Sequence, residues 1–284
     1  MEQRPGEVET LSPLVRRLLA PNPSPFTHTG TQTHIVGHGQ VAVIDPGPDL
    51  TPHITALLGA VGNDQILAIV CTHTHRDHSP AARALRDSTG APIVGCAPLA
   101  LPDEGGDESF DRGYAPDRIL ADGELLSGPG WSLEAVATPG HTSNHLCFAL
   151  KEEGALFSGD HVMGWSTSIV SPPDGDMAAY RASLDKLLRR DESVYYPGHG
   201  PAVHEPRKLV RGLALHRRQR EAQILAQLER GEGAVAGIVA ALYRDIDPRL
   251  HPAAERSVLA HLIELEARGA AAREGERWRL SQPS

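Results

Sequence analysis

The stretch THTHRDHSPAA, residues 72–82, places His73, His75, Asp77 and His78 within six positions. It follows the apolar run ILAIVC (66–71), which reads as a buried strand, and leads into SPAARALRDSTG (79–90), which reads as a helix. Ser79 suits the helix N-cap, Pro80 the first helical position and Gly90 the end. Successive side chains alternate along an extended chain, so His73 and His75 point the same way and their rings can converge on one metal. Asp77 and His78 come after the chain has begun to turn and point elsewhere. One short loop can therefore feed two neighbouring metals. Imidazole and carboxylate are ligands that zinc prefers. The competing reading, a histidine-rich surface loop, gains nothing from this H-x-H-x-D-H order, and burying such groups without partners is costly.

A loop of this kind requires further ligands at other strand ends. TPGHT supplies His141, FSGDH supplies Asp160 and YPGHG supplies His199. Each follows an apolar segment and sits beside a glycine, where a strand turns into a loop. Singly each is an ordinary turn; together they complete two metal sites.

The rest of the first 204 residues fits such a frame. THIVG (33–37), QVAVIDPGP (40–48) and APIVG (91–95) read as strands, and TPHITALLGAVG (51–62) as a helix. Residues 102–130, rich in Gly, Asp and Pro, read as a loop-heavy excursion. WSLEAVATPGHT, HLCFALKEEGALFSGDHV and SVYYPGHG give strands, with DMAAYRASLDKLLRRD an amphipathic helix among them. Alternating strands and helices imply an α/β layered domain.

Beyond residue 204 the composition changes. The last 80 residues carry 14 Lys+Arg against 11 Asp+Glu, in a chain whose net charge is −9. This asymmetry suggests two units, with a tail whose modest positive charge is an ordinary solvated surface. EPRKLVRGLALHRRQREAQILAQLERG reads as one long helix. Val235, Ile238, Val239 and Leu242 form an apolar stripe, as do Val258, Leu259, Leu262 and Ile263, with Gly269 a natural stop. AAAREGERWRL reads as a hairpin turning at Glu274–Gly275. Helices closed by a hairpin describe a small winged-helix-like unit.

The chain has 284 residues, 40% hydrophobic, enough for one large domain and a small companion. The three cysteines, Cys71, Cys96 and Cys147, lie far apart, which argues for a reducing compartment over a disulfide framework. MEQRPGEVETLSP lacks the basic start and apolar run of a secretory leader, and no apolar run approaches the ~20 residues of a membrane span. The expectation is a cytoplasmic protein with no membrane partner.

The set IDPG (44–47), HTHRDH (73–78), His141, Asp160 in SGD and His199 in PGHG resembles the metallo-β-lactamase superfamily. With TPGHTSNHLC, LFSGDHVMGWST, DMAAYRASLDKLL and YYPGHGPAVHEP, the resemblance extends to the lactamase-beta-2-like subfamily over nearly the whole chain. It implies an α/β fold, the αββα metallo-β-lactamase sandwich over residues 1–220, with a winged-helix-like domain over 221–284. It implies that His73, His75 and His141 hold one metal, that Asp77, His78 and His199 hold a second, and that Asp160 bridges them. Asp45 would steady the histidine loop. The expected cofactors are two zinc ions; iron and manganese suit the same ligands.

The chemistry implied is hydrolysis by a metal-bridging hydroxide. Asp77 is the ligand placed to handle a proton as well, and His145 is a candidate proton donor. Trp165 and Thr167 are expected to contact substrate, as is His34 in Gln32-Thr33-His34, where the subfamily often has Asn-Thr-Tyr. Asp160 argues against antibiotic hydrolysis, because true β-lactamases lack the bridging aspartate. Single-stranded RNA phosphodiesters and acyl thioesters are the substrate classes implied. Alternatives are a glyoxalase II-like hydroxyacyl thioester hydrolase and, from another class, a nucleic-acid-binding protein with a non-catalytic metal site. Duplex DNA is not an expected partner: the segment in the recognition-helix position, AAERSVLAHLIELEARG, carries as many acidic as basic residues on the faces not needed for packing.

Overall fold

The computed structural model describes residues 3–99, 109–245 and 247–281. The chain divides into two units. The first comprises the residues up to Thr138 with Asn144–Ser166 and Asp191–Pro206; the second comprises Pro139–Ser143, Thr167–Arg190 and the chain from Arg207 onward.

The first unit is built on two sheets. In one, strands β1 (Val8–Thr10), β2 (Val15–Leu19), β3 (Gln32–Val36) and β4 (Gln40–Ile44) pair antiparallel in succession. Strands β5 (Gln65–Cys71), β6 (Ile93–Gly95) and β7 (Arg118–Ile119) continue the sheet in parallel. Parallel neighbours need crossover connections; helices α1 (Thr51–Val61) and α2 (Ala81–Thr89) lie in the first two of these. The second sheet has the order β12-β11-β10-β9-β8, with β8 (Leu125–Gly128), β9 (Trp131–Ala137), β10 (Leu146–Leu150) and β11 (Ala155–Gly159) antiparallel and β12 (Val194–Pro197) parallel to β11.

β5 carries apolar residues at consecutive positions because a central parallel strand is covered on both faces. Ile69, Val70 and Cys71 are fully buried and share one core with Ile35, Val43, Leu133, Phe148 and Phe157 from both sheets. At the edge of this core β6 comes so close to β5 that only glycine fits. Gly95 has φ +132°, and a Cβ there would meet the Cys71 carbonyl oxygen at 2.3 Å.

Several expectations are adjusted. Strands β1 and β2 fall in a stretch that the sequence reading left unassigned. The turn-rich excursion contains β7 and β8, while its residues 102–108 lie outside the described residues. Ser79 does not cap α2; Pro80 occupies the N-cap, and the Ser79 hydroxyl donates to Asp111 at 2.9 Å. Gly90 ends the helix in the left-handed conformation expected of it.

In the second unit, α3 (Met177–Leu187) is capped by Asp176, whose carboxylate accepts the Ala179 N–H at 2.7 Å. Then come α4 (Pro206–Glu229), α5 (Val235–Leu242), α6 (His251–Ala267) and the hairpin β13 (Ala271–Glu274)–β14 (Arg277–Leu280). Glu274 pairs with Arg277, so the hairpin turns one residue later than expected, at Gly275–Glu276. Ile224, Ile238, Val239, Val258, Leu262, Leu265 and Trp278 form a separate core. On α6, Leu265 joins that core and Ile263 points outward, 43% exposed, shifting the stripe by one turn position from the expected one. Among the described residues no helix is long and apolar enough to cross a membrane.

His34 on β3 lies inside the first core, 2% exposed, between Phe157 and Tyr196 at ring-centroid distances of 5.1 and 5.9 Å. Substrate contact is expected of it from the sequence; the structure places its ring in the interior. Burial, aided by the nearby Arg17 charge, pushes its pKa down from 6.5 to about 3. A depressed histidine pKa means that protonation favours the unfolded chain, so stability falls as pH drops from about 6.5 toward about 3. His34→Phe should flatten that slope by up to about 1.4 kcal/mol per pH unit. Denaturant titrations of both proteins at several pH values within that window check this; parallel slopes would contradict it.

Candidate metal centre

The centre is organised from β4 outward. Asp45, the first residue beyond that strand, adopts φ +49°, a left-handed conformation that aspartate tolerates better than most residues. Its carboxylate accepts the Thr72 N–H at 2.8 Å, the Thr72 hydroxyl at 2.8 Å and the His78 Nδ1–H at 2.9 Å. One side chain thus ties both ends of the histidine loop to the sheet.

These bonds also fix tautomers. With Nδ1–H of His78 given to Asp45, its Nε2 carries the lone pair. The Thr72 hydroxyl proton goes to Asp45, so Thr72 Oγ1 accepts from His73 Nδ1 at 3.0 Å and His73 Nε2 is left as a ligand atom. His199 Nδ1 donates to the Gly30 carbonyl at 3.2 Å, and His141 Nδ1 to the Ile169 carbonyl at 2.6 Å within the second unit. A histidine whose far nitrogen donates to a carboxylate or carbonyl is the usual arrangement around a bound metal.

The ligand atoms then converge. Those of Asp77, His78 and His199 all lie within 4.8 Å of one another, as do those of His73, His75 and Asp160. His78 Nε2 and His199 Nε2 are 3.3 Å apart, with Asp77 Oδ2 at 3.4 and 3.1 Å from them. Asp160 oxygens stand 3.4 Å from His78 Nε2 and 3.3 Å from His199 Nε2. Two imidazole lone pairs facing each other beside two carboxylates call for a shared cation. His73 Nε2 and His75 Nδ1 face one another in the same way at 3.0 Å. The donor set fits a divalent transition metal. His141 follows β9 and belongs to the second unit.

The electrostatics agree. Burial disfavours a charged His78, but the charges of Asp77, Asp160 and Asp45 outweigh it and hold its pKa well above the ordinary value. His199 is pushed up to about 10 against the same burial, chiefly by Asp160 and Asp77. The carboxylate charges favour protons on these rings, so protons and a metal would compete for the same nitrogens.

Two glycines make room. A Cβ at Gly198, in the PGHG turn, would meet His78 Cε1 at 2.6 Å and Asp160 Oδ1 at 2.7 Å. A Cβ at Gly159 would meet His145 Nε2 at 2.6 Å. That imidazole is 1% exposed. Its Nδ1 pairs with Thr138 Oγ1 at 2.9 Å, and its Nε2 accepts the Asp160 backbone N–H at 3.2 Å. His145 therefore holds the Asp160 backbone in place, and the proton-donor role expected of it is not supported by this geometry.

Trp165 is 37% exposed and stacks on His28 with centroids 4.8 Å apart; Thr167 is half-buried in the second unit. Residues that sequence reasoning passed over complete the surroundings. Thr31 donates to Asp77 Oδ2 at 3.1 Å and is itself held by Asn22. Phe110 stacks on His75 at 4.6 Å. Thr72 was visible as the residue before His73; nothing in the sequence singles out Thr31, Asn22 or Phe110.

A metal-binding His/Asp cluster at the strand ends of a two-sheet α/β sandwich defines a class of metal-dependent hydrolases. Residues 28–199 match the metallo-beta-lactamase superfamily and residues 235–278 the beta-lactamase associated winged helix domain. The chain belongs to the metallo-β-lactamase superfamily: it is an enzyme of that α/β fold, with a C-terminal winged-helix domain. It is 32% identical over 280 residues to the beta-lactamase-like protein 2 homolog of Drosophila melanogaster, covering 92% of this chain and 91% of that protein. An atrochrysone carboxyl ACP thioesterase of Aspergillus fumigatus is 33% identical over 229 residues, covering 78% and 67%. Among solved structures, a metallo-beta-lactamase family protein from Thermus thermophilus superposes with a TM-score of 0.78 at 25% identity, over 95% of this chain and all of that one.

Removing the Asp45 carboxylate deprives His78 and Thr72 of their common acceptor. Asp45→Ala should lower zinc affinity about 10–100-fold while leaving the protein folded. Competition with a chromophoric chelator reads this directly; unchanged affinity would show that the loop holds its shape alone.

Proposed function

We propose that this protein is a dinuclear zinc hydrolase of acyl thioesters. His73, His75 and His141 would hold one ion, and Asp77, His78 and His199 the other, with Asp160 between them. Metal ions held there supply an acidified water for attack at neutral pH and polarise the substrate carbonyl. The chain's own part is positional: Asp45 and Thr72 set the imidazole tautomers, His145 fixes the Asp160 backbone, and Thr31 restrains Asp77, which remains the carboxylate proposed to take a proton.

The observation that carries the thioester reading is the engagement of both His145 nitrogens, at Thr138 and at Asp160. A thiolate leaving group, with a thiol pKa of about 8.5, departs near neutral pH with little help from a general acid. The alkoxide leaving group of a phosphodiester needs more. The thioesterase name of the Aspergillus fumigatus relative supports the same direction. The exposed Trp165 and, beyond it, Thr167 are the proposed substrate contacts. A cytoplasmic location is in keeping with three free cysteines, all buried.

Zinc-reconstituted protein should hydrolyse acyl thioesters and contain about two zinc ions per chain. Assayed side by side with single-stranded RNA, faster cleavage of the RNA would replace the thioester reading with the nuclease one. Asp160→Ala should lose at least about 100-fold in turnover, and zinc with it, at an unchanged circular dichroism spectrum. Wild-type turnover with both ions retained would remove Asp160 from the bridging position.

A further inference from the structure

The second unit holds another convergence of ligand-type side chains. Glu221 on α4 and His261 and Glu264 on α6 present ligand atoms that all lie within 4.8 Å of one another. His261 and Glu264 are three residues apart and share a helix face, while Glu221 comes from a different helix. His261 is fully buried, and neither of its ring nitrogens has a hydrogen-bond partner. Glu264 Oε2 is buried and unpartnered beside it. A protein seldom leaves both nitrogens of an interior imidazole idle next to an idle carboxylate oxygen, because each unpaired group carries its full desolvation cost.

The outer sides of the two carboxylates are already held. Arg181 Nη1 bonds Glu221 Oε2 at 2.6 Å and Glu264 Oε1 at 2.9 Å, and Arg268 Nη2 bonds Glu221 Oε2 at 2.8 Å. These bonds orient the carboxylates as supporting hydrogen bonds do around metal ligands. They also cancel the local negative charge, so an ion bound by charge alone gains little here. An ion that gains from an imidazole nitrogen is selected instead. Burial, with the charges of Arg217, Arg181, Arg220 and His216, pulls the His261 pKa down to about 3. Its ring is therefore neutral at physiological pH, the form that metals bind.

We propose that Glu221, His261 and Glu264 form a separate site for a divalent transition metal such as zinc, joining α4 to α6 within the second unit. The site is independent of the hydrolytic centre and of the thioester reading. Its role is structural.

The test is equilibrium dialysis of the full-length protein against zinc at fixed free concentrations, comparing wild type with His261→Leu and Glu264→Gln. Each variant should bind one zinc ion fewer than wild type at saturation and keep its hydrolytic rate. Zinc should also raise the melting temperature of the wild type more than that of either variant. Equal zinc counts in all three proteins would overturn the proposal, leaving the cluster as a purely hydrogen-bonded interior one. If His261→Leu fails to fold, the near-isosteric Glu264→Gln decides alone, and because the comparison is a difference, it holds whatever the total at the hydrolytic centre.

Discussion

The Asp45 carboxylate is the constraint on which the metal centre depends. It sits where β4 ends, in a left-handed conformation, and accepts three hydrogen bonds from the loop that follows β5. Because β4 and β5 are adjacent parallel strands, their ends lie side by side, and a short side chain can span the gap. The result is a loop with fixed ring orientations before any ion arrives. Preorganisation of this sort is what separates a tight metal site from a mere collection of histidines.

The same cluster would be costly without a cation. Asp77, Asp160 and Asp45 surround His78, and their field raises its proton affinity despite complete burial. That field selects for positive charge of any kind. Protons and a metal ion would compete for the same nitrogens there. The imidazole in the helical unit, His261, stays neutral for another reason: burial first, with nearby arginines adding to it. Two buried histidines in one chain thus shift in opposite directions, because carboxylates outweigh burial at His78 and nothing outweighs it at His261.

What could be read from the sequence follows from how restrictive the chemistry is. Metal ligation accepts few residue types, so His73, His75, Asp77 and His78 stood out in one line of letters, as did the glycine-flanked His141, Asp160 and His199. The apolar run before them announced β5, and periodic stripes announced the helices. Supporting residues were hidden because threonine, asparagine and phenylalanine occur everywhere; Thr31, Asn22 and Phe110 acquire meaning only through tertiary contact. His145 and His34, expected to act on substrate, show a related limit of the sequence. A histidine looks reactive in sequence, yet one is consumed by a backbone N–H and the other by the interior. Strands β1 and β2 escaped because VRRLL alternates poorly and places arginines in a sheet, where Arg17 is nonetheless bound by Gln32 and Glu9.

The Trp165–His28 stack supplies no metal-ligand atom, although Trp165 shares the loop after β11 with Asp160 and lies against Gly200, next to His199. These two side chains are not themselves candidate ligands, and the candidate ligands are positioned by strand ends and by Asp45. Side chains on the rim can therefore differ between proteins of this fold while the strand-end frame of candidate ligands is kept. A rigid reactive core surrounded by replaceable walls is a recipe for divergence. It accounts for proteins with different names sharing about a third of their residues with this chain.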